Sequence, residues 1–98
     1  MNEDVRYGLF CWSEAKEKAN ILRHGLSFRE AIEAFSDVHR IVAKDDKHSL
    51  EEERLFCIGR VSGRVATVRF TYREELVRVF GAGFWRKGRK LYEETNPD

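Results

Sequence analysis

The sequence predicts an α+β fold, in which two N-terminal helices pack on a twisted antiparallel β-sheet of three to five strands and a C-terminal helix follows. The first observation is the stretch 54–82, which is rich in Val, Ile, Phe and Tyr and contains no proline. Turn residues interrupt it at Ser62-Gly63 and Glu74-Glu75, so it predicts three consecutive strands. The second observation is a pair of helix-start signals at Ser13 and Ser27.

We expect one domain over residues 1–98, because this length suffices for a hydrophobic core without disulfides or a metal. Apolar residues make up 42% of the chain and charged residues 36%, as in an ordinary soluble globular protein. No apolar run is long enough to cross a bilayer, and residues 1–4 lack the features of a signal peptide. We therefore expect a cytoplasmic protein without a membrane partner, in which Cys11 and Cys57 are buried thiols.

The predicted strands also imply a pairing register. If Ser62-Gly63 forms a two-residue hairpin loop, Val61 lies opposite Arg64. With a second even-length loop at Glu74-Glu75, one face is apolar or small: Leu55, Cys57, Gly59, Ala66, Val68, Phe70, Val77, Val79 and Gly81. The other face mixes arginines, aromatics and threonines: Arg54, Phe56, Arg60, Arg69, Thr71, Arg78 and Phe80. A slip of one residue would mix the two sets, which favours this register. We predict that the second face is the functional one.

The segments outside the sheet are assigned from their local signals. Residues 7–12 are predicted to form a short edge strand, and residues 41–42 lie in another. The first helix is predicted to end at Gly25 and to bury one stripe: Trp12, Ala15, Ala19 and Leu22. Ser27 and Glu30 form the capping box of a second helix, with Phe28, Ala31, Ile32 and Phe35 on its buried side. Residues 83–94 predict a terminal helix with an aromatic and a cationic side.

Charge is distributed unevenly along the chain, although the net charge is only +1. Residues 1–53 contain eight Lys and Arg against twelve Asp and Glu. Residues 54–92 contain ten Lys and Arg against two Glu. A basic sheet in an otherwise acidic chain indicates a surface that meets phosphates. The alternative is that the arginines only solubilise exposed strands.

Several short motifs follow one another in a characteristic order from Phe10 to Glu94. They include FCWSEAK at residues 10–16, Asn20, RHGLSFREA at residues 23–31, His48-Ser49, Glu53-Arg54, Ile58-Gly59-Arg60, FTYR at residues 70–73 and RVFGA at residues 78–82. Their order and spacing resemble the BrnT-type toxin family, whose opening reads F-x-W-D-x-x-K…N…K-H-G-V-x-F-x-E-A. Two positions depart from the family: Ser13 replaces the common Asp, and Gly83 stands where many members carry an arginine.

BrnT-type toxins are the toxin half of type II toxin–antitoxin modules. The resemblance implies a RelE-like fold and a metal-independent endoribonuclease that cleaves RNA and inhibits translation. It also implies a ribbon-helix-helix antitoxin as partner, in a complex with two copies of each chain because such antitoxins dimerise. DNA would then be contacted only through the antitoxin. The alternative is a non-catalytic RNA- or partner-binding module of the same fold, whose main ligand is the antitoxin.

Metal-independent RNA cleavage needs a base for the substrate 2′-hydroxyl, cations for the crowded phosphorane and an acid for the leaving oxygen. Arg54 and Arg78 flank Thr71 in the predicted register, and their planar guanidinium groups suit bidentate phosphate contacts. We therefore predict that both are catalytic cations. His24 and Glu53 are the candidate base or acid.

Structural roles stay open as alternatives for these residues. His24 ends a helix, where a cation is favoured for structural reasons alone, and Arg54 can simply pair with Glu51 or Glu53. Six further cations are candidate RNA contacts: Lys16, Arg60, Arg69, Arg73, Arg86 and Lys87. The sequence has no His and Cys cluster with ligand spacing and no glycine-rich phosphate loop, so we predict neither a metal site nor a cofactor.

Overall fold

The structure, a computed structural model, describes residues 3–97. Within this range the strands are β1 (Asp4–Tyr7), β2 (Phe10–Ser13), β3 (Ile41–Lys44), β4 (Leu55–Val61), β5 (Arg64–Arg73) and β6 (Leu76–Gly83). The α-helices are α1 (Glu14–His24), α2 (Phe28–Ala31) and α3 (Arg86–Thr95), and 3₁₀ turns lie at Ile32–Ser36 and Asp46–His48. Among these helices none is both long and apolar enough to cross a membrane.

The strands form one mixed sheet in the order β1-β2-β6-β5-β4-β3. All neighbours are antiparallel except β2 and β6, which run parallel. The α+β class is confirmed, but the sheet has six strands and is not purely antiparallel. The predicted edge strand over residues 7–12 is in fact a hairpin, because Gly8 turns the chain with a φ of 61°.

The predicted register between β4 and β5 is confirmed along its whole length. Val61 lies opposite Arg64, and Leu55 lies opposite Phe70. The loop at Ser62-Gly63 has a positive φ at both residues, which suits the right-handed twist of a two-residue hairpin. The buried face of these two strands was therefore correctly assigned.

The pairing of β5 with β6 starts as predicted and then shifts by one residue. Thr71 lies opposite Arg78, but a β-bulge follows, after which Gly81 lies opposite Arg69. The prediction that Gly81 belongs to the buried face was therefore wrong. Ala82 takes that place and is fully buried, since the extra residue Phe80 reverses the alternation.

The apolar face of the sheet carries the main core, covered by α2 and the following 3₁₀ turn. Phe28, Phe70 and Val68 are completely buried in it. The 3₁₀ turn approaches β4 so closely that a Cβ on Gly59 would lie 2.5 Å from the carbonyl oxygen of Ala34. Only glycine fits at this contact between the two layers.

The first helix is held by polar side chains, not by the predicted apolar stripe. Ser13 caps α1 and Gly25 ends it in the left-handed region, as predicted. However, Ala15 and Ala19 are exposed, and Leu22 is 89% exposed. Trp12 is buried, but it belongs to β2.

Asn20 is the buried residue of α1. Its amide donates to the carbonyl of Ala82 and accepts from the N–H of the same residue, at 2.9 and 3.2 Å. It therefore completes the edge of β6 beyond the point where β2 ends. A second amide hydrogen bond, to the carbonyl of Leu26, fixes the connection to α2.

The second helix is shorter than predicted. The capping box of Ser27 and Glu30 is present, but only one α turn forms before the backbone tightens into the 3₁₀ turn. This tightening brings the chain against β4.

The opposite face of the sheet is partly covered by α3, which begins at Arg86 because Gly83 still belongs to β6. Gly88 packs directly on Thr67, where a Cβ would collide with the hydroxyl. Tyr92 is buried with Ile58 and donates a 2.6 Å hydrogen bond to Asp37. The part of this face that remains uncovered lies toward the loop that joins β5 to β6.

Candidate functional site

Four arginines lie on the side of the sheet opposite α1 and α2, near the β5–β6 loop. Alternation along β5 puts two of them on this side, and the register with β6 and the start of β4 adds the other two. We call this group the arginine face: Arg54, Arg69, Arg73 and Arg78. The sequence predicted all four as functional.

The bulge residue Phe80 lies beneath two members of the arginine face. The Arg54 guanidinium carbon is 4.4 Å from the centre of the Phe80 ring, and that of Arg69 is 5.3 Å away. A guanidinium over an aromatic face is attracted by the ring quadrupole and keeps its N–H groups free at the rim. Phe80 therefore positions two cations side by side without neutralising either.

The backbone around Arg54 is fixed by the loop that precedes β4. The Arg54 N–H donates to Ser49 Oγ at 3.0 Å, and its carbonyl accepts from the Asp45 N–H at 2.7 Å. Thr71 donates its hydroxyl to the carbonyl of Glu53. Thr71 is buried, so it holds the strand start in place between Arg54 and Arg78 and does not itself face solvent.

Arg78 forms a bidentate ion pair with Asp4 of β1. Its two terminal nitrogens donate to the two carboxylate oxygens at 3.1 and 3.0 Å, and one of them lies 3.7 Å from Cys11 Sγ. The hydrogen bonds from Arg78 lower the pKa of Asp4, and the same pair raises the pKa of Arg78. The fork geometry that suits phosphate is therefore occupied by a carboxylate in the free protein.

Glu52 is the acidic partner of two of the three remaining arginines. It accepts hydrogen bonds of 2.8 and 3.1 Å from Arg73 and lies 3.9 Å from Arg54. The predicted alternatives, in which Arg54 pairs with Glu51 or Glu53, were wrong because the chain turns between these residues. Glu53 points away and lies 4.0 Å from Lys44.

Two open clefts border the arginine face, and Arg73 lines both. One has a volume of about 590 Å³ and includes Arg54, Glu52 and His48. The other has a volume of about 640 Å³ and includes Asp4 and Arg78. An extended polyanion can therefore cross the face from one cleft to the other, with a guanidinium group at each step.

The comparison with known protein families fits this geometry. The family described as "Ribonuclease toxin, BrnT, of type II toxin-antitoxin system" matches residues 12–88. The chain belongs to the BrnT toxin family. It is thus a ribonuclease toxin of a type II system, and an antitoxin is its partner. No curated protein matches the chain.

The structure does not bring His24 to the arginine face of this BrnT toxin. The His24 ring is half-buried and packs edge-on against Trp85, with 5.2 Å between ring centres. Trp85 comes two residues after Gly83, the last residue of β6. Gly83 lies five residues from Arg78 along this strand, which corresponds to about 16 Å. Of the two proton-transfer candidates, neither His24 nor Glu53 touches the arginine face.

The other predicted RNA contacts are dispersed. Lys16 is exposed on α1, and Arg86 and Lys87 are exposed in the first turn of α3. Arg60 lies toward the Ser62-Gly63 hairpin, donates to the carbonyl of Gly63 at 3.2 Å and lies over the Tyr92 ring. These cations surround the sheet but do not join the arginine face.

At the position where many BrnT members carry an arginine, Gly83 lies under the Trp85 indole. A Cβ on Gly83 would come within 2.5 to 2.8 Å of three indole atoms. An arginine at this position is therefore incompatible with the present place of the indole. Gly83, at which the chain departs from the family pattern, and Trp85 therefore pack against each other.

Sequence reasoning missed Asp4 and Glu52 as parts of the site. Asp4 belongs to a strand that was not predicted, and Glu52 is the middle member of three consecutive glutamates, so no pattern distinguished it. Over residues 3–97, no group of three or more His, Cys, Asp or Glu side chains is arranged to hold a metal ion.

Proposed function

We propose that this protein is a metal-independent endoribonuclease that cleaves RNA and thereby inhibits translation, and that the arginine face is its active site. The observation that carries the proposal is the group of Arg54 and Arg69 over Phe80, next to Arg78. Such a group offers several guanidinium forks to one phosphodiester and its neighbours. The family membership supports the ribonuclease activity itself.

In this proposal Arg54 and Arg78 hold the scissile phosphate from its two sides. The substrate 2′-hydroxyl loses its proton and attacks the adjacent phosphorus, and the 5′-oxygen of the next nucleotide leaves and takes up a proton from water. Negative charge builds up on the non-bridging oxygens in the transition state, where fixed cations stabilise it more than in the ground state. The products are a cyclic phosphate or 3′-phosphate end and a 5′-hydroxyl end.

Glu52 is the carboxylate best placed to take up the 2′-hydroxyl proton in this proposal. It lies against Arg73 and close to Arg54, whereas Glu53 and His24 point elsewhere. A general base has to lie within hydrogen-bond reach of the proton it removes. Glu52 therefore replaces Glu53 and His24 as the first candidate.

For the antitoxin we propose a ribbon-helix-helix protein that covers part of the basic surface, in a complex with two copies of each chain. Complementary charge would steer the two proteins together and make association sensitive to salt. DNA would be contacted through the antitoxin alone. Light scattering of the purified complex measures the stoichiometry directly, and a complex with one copy of each chain contradicts this part of the proposal.

A second function is favoured by one observation, namely that no predicted proton-transfer residue touches the arginines. The protein would then bind RNA or its antitoxin without cutting. Purified toxin, freed of antitoxin, separates the two functions when it is incubated with single-stranded RNA in EDTA. We expect cleavage with cyclic or 3′-phosphate ends. Cleavage only after addition of a divalent ion contradicts metal independence, and binding without any cleavage supports the second function.

A further inference from the structure

An apolar pocket lies beside the arginine face, under the first turns of α3. It has a volume of about 300 Å³, and its walls are mostly carbon. The side chains that define it are Phe56, Ile58, Thr67, Trp85, Lys87 and Leu91. We call it the α3 pocket. It is at the lower end of the size range of small-ligand sites, so it suits one flat ring better than an extended molecule.

We propose that the α3 pocket binds one nucleobase of the RNA whose phosphates lie on the arginine face. This inference rests on the proposed function and adds to it a site for base recognition. RNA-binding proteins commonly recognise single strands by stacking unpaired bases on aromatic side chains. Trp85 and Phe56 supply aromatic surface in this pocket, and Lys87 places a cation at its rim.

The distance between the pocket and the arginine face fits one nucleotide. Thr67 and Arg69 lie on the same side of β5, two residues apart, which corresponds to about 7 Å along the strand. Phe56 lies directly opposite Arg69 in the sheet, so this wall of the α3 pocket adjoins Arg69. A nucleotide whose phosphate contacts Arg69 can therefore place its own base, or the next one, in the pocket.

Thr67 provides a second, independent observation. Its hydroxyl is the buried side-chain polar atom in residues 3–97 for which no hydrogen-bond partner is found, and the residue is 6% exposed. A buried hydroxyl without a partner costs free energy in the free protein. Because Gly88 covers this hydroxyl, the edge of a bound base can satisfy it when the first turn of α3 shifts away from β5.

The surroundings of the pocket favour a base over an apolar ligand without charge. Lys87 is exposed at its rim, and Phe56 in its wall lies opposite Arg69 of the arginine face. A base attached to a phosphate contacts both the apolar walls and the neighbouring cations, whereas a neutral apolar molecule contacts only the walls. The cations explain why the ligand of this pocket should be anionic.

Trp85 also serves as a reporter for the test. The chain has two tryptophans, and the other one, Trp12, is buried with its Nε1 bonded to Glu17 at 3.0 Å. A ligand in the α3 pocket should therefore change the fluorescence of Trp85 and leave that of Trp12 unchanged. The Trp85→Phe variant checks this assignment, because it keeps an aromatic ring but removes the signal.

The probes are 2′-O-methyl RNA trinucleotides of each of the four bases, which cannot be cut, and an abasic trinucleotide with the same phosphates. We expect the base-containing probes to quench Trp85 to different extents and the abasic probe to bind without quenching. In anisotropy titrations, Trp85→Leu should weaken binding of the best probe about tenfold, equivalent to ~1.4 kcal/mol, and leave the abasic probe unaffected. Thr67→Val should reduce the discrimination between bases without lowering the melting temperature.

Equal quenching by the abasic probe, or none by any probe, overturns the base site. A change in Trp85 emission caused by antitoxin and not by the trinucleotides also overturns it, because the pocket then belongs to the protein partner. If Trp85→Leu does not fold, the abasic comparison on the unchanged protein still decides. Base-dependent quenching together with no cleavage of ordinary RNA contradicts the proposed ribonuclease site, while the base site stands.

Discussion

The Arg78 guanidinium donates two hydrogen bonds to the Asp4 carboxylate across strand β2, at 3.1 and 3.0 Å. The pair ties the edge strand β1 to the fourth arginine of the face. It also places a carboxylate where the proposed mechanism needs a phosphate. Asp4 and an RNA phosphate would therefore compete for the same fork of Arg78.

This competition predicts that Asp4→Asn binds RNA more tightly than the unchanged protein. The amide leaves Arg78 without its anionic partner, so we expect a several-fold gain in affinity, measured with an uncleavable oligonucleotide. Glu14→Gln is the matched control, because it removes one negative charge from an exposed pair with Lys18 on α1. Equal affinity of both variants, or weaker binding by Asp4→Asn, contradicts the competition.

The central prediction concerns the geometry of the arginine face. Lysine keeps the charge but loses the planar fork, so Arg54→Lys and Arg78→Lys should each lower the rate of RNA cleavage about a hundredfold, or ~3 kcal/mol. Cleavage of a labelled single-stranded RNA in EDTA measures the effect. Thermal melts must show that each variant is folded.

Arg64→Lys is the matched control for Arg54→Lys. Arg64 also stacks on a phenylalanine, with its guanidinium carbon 3.8 Å from the centre of the Phe84 ring, but it lies at the far hairpin. We expect it to cut RNA at nearly the parent rate. If the Arg54 and Arg78 variants match it, the arginine face is not the active site.

The hydrogen bond between Tyr92 and Asp37 predicts a pH-dependent contribution to stability. Burial raises the pKa of Asp37, but the hydrogen bonds from Tyr92, His39 and Arg60 outweigh it, and the net pKa is lowered. A carboxylate with a lowered folded pKa adds stability above its unfolded pKa, near 3.8, and this contribution is lost as the pH falls through the folded value. Asp37→Asn should therefore melt several degrees lower near pH 7 and approach the parent below pH 3.8.

Melting curves from pH 7 down to pH 3 test this prediction. Tyr92→Phe removes one donor and should show a smaller difference with the same dependence on pH. Asp46→Asn is a suitable comparison, since Asp46 is an exposed acid in a loop. A difference between Asp37→Asn and the parent that is constant over the whole range excludes the charge as its cause.

Asn20 predicts a larger loss of stability than its polarity suggests. Asn20→Ala leaves the buried N–H and carbonyl of Ala82 without their partner, and each buried unsatisfied group costs about 1–3 kcal/mol. Leu22→Ala, on the same helix, should stay within about 0.5 kcal/mol of the parent because Leu22 is exposed. Urea unfolding of both variants measures the difference, and a larger cost for Leu22→Ala contradicts the structure.

Asn20 and Leu22 also show how much of the helical layer could be predicted from the sequence. Helical spacing correctly indicated a helix, and Ser13 and Gly25 marked its ends. The predicted buried side was wrong because α1 packs against a part of the β6 edge that pairs with no other strand, and this edge needs hydrogen bonds more than apolar contacts. No hydrophobic pattern reports such an edge.

In the sheet, turn geometry and side-chain alternation predicted the strand pairing correctly as far as the bulge at Phe80. The loop at Ser62-Gly63 fixed the register of two strands, and the alternation of side chains then gave Arg54, Arg69 and Arg78 a common face. The bulge at Phe80 and the pairing of β2 with β6 depend on contacts between distant parts of the chain. For that reason Asp4 could not be found from spacing, whereas Glu52 was missed because nothing distinguishes it from its two neighbouring glutamates.

The last prediction concerns the glycine that replaces the arginine common in the family. Gly83→Ala places a methyl group within 2.5 Å of the Trp85 indole, closer than real Cβ contacts allow, so the indole has to move. Because Trp85 packs edge-on against His24 and lines the α3 pocket, we expect a red shift of its emission and a lower melting temperature.

Gly63→Ala is the control for the loss of a glycine, since Gly63 has no neighbour within 4 Å of a Cβ and lies in the far hairpin. Gly63→Ala should also lower the melting temperature, because its φ of 81° strains any residue with a Cβ, but the emission of Trp85 should stay unchanged. An unchanged Trp85 spectrum in Gly83→Ala would show that the indole does not rest on Gly83.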